Sequence, residues 1–104
     1  MSLVELTNDN FDETIAEGVA LVLFLAPECV PCEEQLTIAE ELDTEMGDDV
    51  VFGTVDVEVE EDLAARFNAS YVPNVIIFKD GQVAEHLGSG RSKAATKGKL
   101  MMYL

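Results

Sequence analysis

The chain has no tryptophan, one histidine and two cysteines in 104 residues. It also lacks bases over most of its length: residues 1–62 contain no Lys or Arg. Each absence excludes something. Cys29 and Cys32 are too few and too close together for the disulfide framework of a small secreted domain. With His86 they supply at most three ligands, so a zinc shell would need a second copy of the chain. The longest apolar run, Val19–Pro27, is nine residues, whereas a membrane-spanning helix needs about 20. Met1–Asn10 carries acids rather than the basic start of a targeting segment. No GxGxxG, P-loop or GxSxG motif is present, which removes support for nucleotide binding and serine-hydrolase chemistry. The expectation is a soluble cytoplasmic protein with no metal and no membrane partner.

What is abundant is negative charge. There are 21 Asp and Glu residues against 6 Lys and Arg, a formal net charge of -15. Nucleic acids and anionic membranes need a basic patch to displace counterions, so both are excluded as partners. The distribution is uneven. Residues 1–62 hold 19 of the 21 acids, while residues 63–104 hold only Asp80 and Glu85 together with all six bases. The plain reading is a solvated acidic surface. The same composition also suits a protein that works in high salt.

Hydrophobic residues make up 48%, enough for one packed domain spanning residues 1–104. Patterns of period 2 and 3.6 alternate along the chain, which predicts an α/β fold. Leu3–Leu6 reads as a short strand and Asn8–Glu17 as a helix stopped by Gly18. Val19–Ala26 is continuously apolar, as in a strand buried on both faces. A helix is predicted over Pro31–Glu45, closed by Gly47. Val50–Val57 reads as a strand and Glu60–Phe67 as a short helix. Asn74–Lys79 and Gln82–Leu87 flank Asp80-Gly81, a two-residue hairpin turn. The last predicted helix is Lys93–Tyr103, with Met101 and Met102 read as core filler.

Cys29-Val30-Pro31-Cys32 follows a buried strand and opens a helix. The N–H groups and macrodipole at a helix N-terminus favour an anion, here the Cys29 thiolate. Cys32 lies one turn further on, close enough to form a disulfide and more sheltered. One thiol can attack and the other resolve the mixed disulfide. Pro31 suits the first helical turn, where its missing N–H removes no bond. A structural disulfide, half of a shared zinc site and two inert buried thiols remain open on spacing alone. A staple closing so short a loop removes little unfolded-state entropy, on the order of 2 kcal/mol.

In this context the sequence resembles the thioredoxin family. The likeness runs from Leu6 to Leu104 and is carried by several segments. They are Ala26-Pro27-Glu28-Cys29-Val30-Pro31-Cys32, Thr54-Val55-Asp56, Val72-Pro73, Phe78-Lys79-Asp80-Gly81 and Gly88. It implies a three-layer α/β/α sandwich around a central mixed β-sheet. It also implies protein thiol–disulfide exchange without a bound cofactor, by a monomer that a separate reductase supplies with electrons. Cys29 resembles the family's nucleophile, Cys32 its resolving thiol and Pro73 its cis-proline. Val30, Pro31, Val72, Pro73 and Gly88 would line the surface that meets a substrate peptide.

The departures are specific. Where the family usually reads W-C-G-P-C-K, Glu28 replaces the Trp, Val30 the Gly and Glu33 the Lys. The family's buried Asp, six residues before the first cysteine, is Leu23, and a second family Trp is Leu25. That Asp helps to accept the resolving thiol's proton; in its place there is water or a nearby acid such as Glu28. Glu28, Glu33 and Glu34 also oppose the dipole. An exposed charge some 7 Å away is worth roughly 0.8 kcal/mol before screening. A less favoured thiolate biases the couple toward reductant, and the acidic surroundings are expected to select basic or neutral substrates by electrostatic steering. The rival expectation is a docking module that keeps the fold and turns over little. His86 reads as a surface residue, Asp56 as a turn-former, and Arg91, Lys93, Lys97 and Lys99 as the solvated face of the last helix or an anion contact.

Overall fold

The computed structural model describes residues 3–104. Met1 and Ser2, the start of the expected domain, lie outside the described residues. In chain order the elements are β1 (Val4–Glu5), α1 (Phe11–Thr14), β2 (Val19–Leu25), α2 (Val30–Met46) and β3 (Val50–Asp56). There follow α3 (Glu61–Arg66), β4 (Asn74–Lys79), β5 (Gln82–Gly88) and α4 (Lys93–Met101). The five strands form one sheet in the order β1-β3-β2-β4-β5. β3 runs parallel to β1 and β2, while β4 is antiparallel to both β2 and β5. The sheet is therefore mixed, as the resemblance implied.

The apolar run of β2 is explained by its central place. Successive side chains point to opposite faces, and both faces are covered. Val19, Leu21 and Leu23 pack with Leu42, Met46 and Leu100 under α2 and α4. Ala20, Val22 and Phe24 pack with Phe11, Ile15 and Leu63 on the α1 and α3 side. Four phenylalanines cluster there. Phe78 meets Phe11 and Phe67 edge to face, with ring centroids 5.6 and 5.2 Å apart.

The Asp80-Gly81 turn forms as predicted. Both residues have positive φ, 51° and 84°, which a tight hairpin turn of that twist requires. Asp80 also anchors the tip: its Oδ1 accepts the Gly18 N–H at 2.8 Å.

Gly47 closes α2 as expected, in a right-handed conformation (φ -63°). Two expectations are corrected. The helix expected over Asn8–Glu17 is only Phe11–Thr14. Side-chain bonds within Thr7–Asn10 hold that segment as a turn, with the Asn10 Oδ1 accepting the Thr7 N–H and the Thr7 Oγ1 accepting the Asp9 N–H. Met101 and Met102 are exposed rather than core filler. The helix ends at Met101, and its inward stripe is Thr96 and Leu100, with Tyr103 packed behind them.

Candidate active site

The dithiol stands where β2 passes into α2. Cys29 is the N-cap residue and α2 begins at Val30, so Pro31 falls in the first turn as expected. The Cys29 Sγ accepts the Cys32 N–H at 3.2 Å, filling one of the orphan donors of the helix start. The two residues are joined as a disulfide with Cα atoms 5.2 Å apart. Cys29 is half-buried, whereas Cys32 is buried at 3% exposure. The first sulfur is thus the accessible one, and the second is screened behind it.

The sheet register brings the other expected residues to the same end of the molecule. Phe24 on β2 pairs with Asn74 on β4, which puts Pro73 level with Leu25, shortly before the dithiol. The Val72-Pro73 bond is cis. Val75 pairs with Gly88, so Gly88 closes β5 alongside. Gly88 has φ 62°, a left-handed backbone that glycine adopts without a Cβ penalty. Val30 is exposed at 68%, Pro31 is exposed, Val72 and Gly88 are half-buried, and Pro73 is buried.

Three features escape the sequence. Tyr71 stands exposed beside Val72-Pro73 and adds an aromatic ring to this end of the sheet. Its place before Val72-Pro73 was the available signal. Glu28 has a left-handed backbone, φ 58°. Nothing in the sequence marks this, because Gly or Asn is the usual sign of such a position. Gln35 reaches from α2 to donate to the Arg91 carbonyl at 3.3 Å, and the Arg91 Nη1 donates to the Leu87 carbonyl at 2.7 Å. Together they tie the loop after β5 to the dithiol helix.

A hollow of about 210 Å³ opens beside the dithiol, lined by Leu25, Ala26, Pro27, Glu28, Cys29, Cys32, Glu33 and Leu36. Leu23, the counterpart of the family's buried acid, is fully buried among Leu42, Val75 and Ala39. Asp56 serves its turn as expected, its Oδ1 accepting the Glu58 N–H at 2.9 Å. His86 is exposed on β5. Arg91 makes the carbonyl contact above, while Lys93, Lys97 and Lys99 form ion pairs with Glu41, Glu45 and Glu85. The bases of α4 are therefore mostly spent within the molecule. Among the described residues no cluster of His, Cys, Asp or Glu is arranged to hold a metal ion. No described helix is long and apolar enough to cross a membrane.

A disulfide spanning a helix start at the end of a central strand, with one sulfur accessible and one screened, defines a thiol–disulfide oxidoreductase of the α/β class. Comparison narrows the class. The family model described as Thioredoxin matches residues 2–101. A Thioredoxin of Bacillus subtilis (strain 168) is 36% identical over 85 residues, covering 82% of each chain. Thioredoxin C-2 of Corynebacterium nephridii is 38% identical over 98 residues, covering 90% of this chain and 91% of its own. The chain belongs to the thioredoxin family. A solved structure of a mutant thioredoxin from Halobacterium salinarum NRC-1 superposes with a TM-score of 0.91. It covers 98% of this chain and 90% of that one, and at 23% identity it bears on the fold alone. Family membership and the dithiol together leave the docking-module reading unfavoured.

Proposed function

We propose that the protein reduces disulfides of other proteins, with Cys29 as nucleophile and Cys32 as resolving thiol. The observation that carries this is the asymmetry of the pair: an accessible Cys29 at the α2 N-cap and a buried Cys32 one turn on. The Cys29 thiolate attacks one sulfur of the target, and the other sulfur leaves as a thiolate. Cys32 then attacks Cys29, the second target sulfur leaves, and Cys29 and Cys32 end oxidised as a disulfide. The α2 dipole and the Cys32 N–H favour the Cys29 thiolate. Glu28, Glu33 and Glu34 oppose them and bias the couple toward reductant.

In this reading the target segment lies across Val30, Pro31, Val72, Pro73 and Gly88, pairing its backbone with that of Val72. The acidic flank favours basic or neutral targets. The protein acts as a monomer in the cytoplasm with no bound cofactor, and a separate reductase restores the dithiol. The test follows insulin reduction by dithiothreitol with wild type and Cys29→Ser. Wild type is expected to accelerate precipitation and the variant to match the uncatalysed rate. Equal rates for the two proteins would sink the proposal.

A further inference from the structure

We propose that Glu28 accepts the proton that Cys32 releases when it resolves a mixed disulfide, through the hollow that both residues line. This rests on the reading that Cys32 is the resolving thiol. Cys32 is 3% exposed, and burial disfavours a thiolate. The proton therefore needs an acceptor close by. The sheet side offers none, because Leu23 stands there among Ala39, Leu42 and Val75. The other side is the hollow of about 210 Å³, which is large enough for water. Leu25, Ala26, Pro27 and Leu36 form apolar walls, and Glu28 and Glu33 are the carboxylates lining it.

The backbone singles out Glu28. Its φ of 58° is one that a long side chain seldom adopts, and such outliers concentrate at functional sites. Glycine or asparagine would hold the same turn with less strain. The remaining charged neighbours are accounted for. Glu34 lies past the first turn of α2 and does not line the hollow. Asp56 pairs with Leu25 across the sheet, but it accepts the Glu58 N–H and lines a separate pocket with Glu5 and Glu60.

The step balances. The Cys32 Sγ–Cys29 Sγ bond forms as the bond from Cys29 to the target sulfur breaks. The target sulfur leaves with the electron pair, and the Cys32 proton passes through water in the hollow to the Glu28 carboxylate, then to solvent. With an internal acceptor the rate is nearly flat between about pH 6 and 8; with hydroxide as acceptor it rises about tenfold per pH unit.

The reduced protein, mixed with dithiobis-nitrobenzoate, releases one thionitrobenzoate when Cys29 attacks and a second when Cys32 resolves. For Glu28→Gln the second release is expected to slow at least about tenfold at pH 7 and to become steeply pH-dependent. Glu28→Asp is expected to restore most of the rate and the flat profile. Glu33→Gln and Asp56→Asn are expected to keep the wild-type profile. Glu28→Gln with an unchanged profile, or the loss appearing instead in Glu33→Gln or Asp56→Asn, overturns the inference and leaves Cys32's role intact. Wild type with no second release overturns Cys32's role itself.

Discussion

Arg66 shows how much one side chain can join. Its Nη2 and Nη1 donate to the two Asp12 carboxylate oxygens at 2.8 and 3.2 Å. Its guanidinium lies 4.9 Å from the Phe67 ring centre and 5.7 Å from that of Phe11. It therefore clamps α1 to α3 over the aromatic cluster. The hydrogen bond from Arg66 holds the Asp12 carboxyl below its ordinary range and raises Arg66 in return. Both side chains are about half exposed or more, so the ion pair alone is worth less than about 1 kcal/mol. With the ring contacts included, Arg66→Ala is expected to lose about 1–1.5 kcal/mol in urea denaturation. Lysine keeps the charge but not the flat fork, so Arg66→Lys should fall nearer the Ala variant than wild type. A wild-type midpoint for Arg66→Lys would mean that charge alone matters. Gly88 makes the opposite case, a residue needed for what it lacks. No atom lies within 4 Å of a Cβ built there, so Gly88→Ala meets only the backbone penalty of φ 62°. The expected loss is about 1 kcal/mol, with the dithiol still reactive toward alkylating reagents.

At the scale of elements, α4 is fastened to α2 by charge. The Lys93 ammonium lies 2.5 Å from one Glu45 oxygen and 3.5 Å from Glu41, and Lys97 reaches the other Glu45 oxygen at 2.9 Å. The hydrogen bond from Lys93, then that from Lys97, brings the Glu45 carboxyl down from 4.5 to about 2. A lowered folded-state value means stability that is complete above the ordinary carboxyl range and is lost as pH falls through it. The gap in urea midpoint between wild type and Glu45→Gln should thus be full near neutral pH, shrink between pH 4.5 and about 2, and close below that. A gap that stays constant through that window would mean that the carboxylate's charge contributes nothing. This fastening was not legible in the sequence, because Lys97 and Glu45 lie 52 residues apart and each reads alone as a solvated charge. The legible parts were those set by local chemistry. They include the unbroken apolar run of β2, the Asp80-Gly81 turn and the cysteines opening α2. Where local signals competed, the reading failed. The side-chain bonds of Thr7 and Asn10 shortened α1, and on α4 the inward stripe of Thr96 and Leu100 leaves Met101 facing out, with Met102 at the helix end. The α2 start was readable down to Pro31, but the left-handed Glu28 was not, since glutamate gives no sign of such a backbone.

At the scale of the whole molecule, the ion pairs change what the net charge of -15 means. Arg66, Lys93, Lys97 and Lys99 are engaged with Asp12, Glu41, Glu45 and Glu85. None of the ion pairs among the described residues involves Glu28, Glu33 or Glu34. The bases of α3 and α4 are consumed by acids on α1, α2 and β5, and the acids at the mouth of the dithiol are left without ion pairs. Two effects of salt follow, and they run in opposite directions. Repulsion among the unpaired acids is spread over a molecule only 30 × 28 × 23 Å in extent, and screening it stabilises the fold. The melting temperature should therefore rise as salt increases toward molar concentrations, despite the weakening of the surface ion pairs. Attraction between the acidic mouth and a basic target is screened by the same ions. The second-order rate of Cys29 attack on a lysine-flanked disulfide peptide should fall severalfold between about 20 mM and 0.5 M salt. A glutamine-flanked peptide should show little change over that range. Replacing Glu33 and Glu34 with Gln should flatten the salt dependence for the lysine peptide while leaving the rise in melting temperature largely in place. If both peptides respond to salt alike, the acids at the mouth do not select the partner. The charge then serves solvation alone.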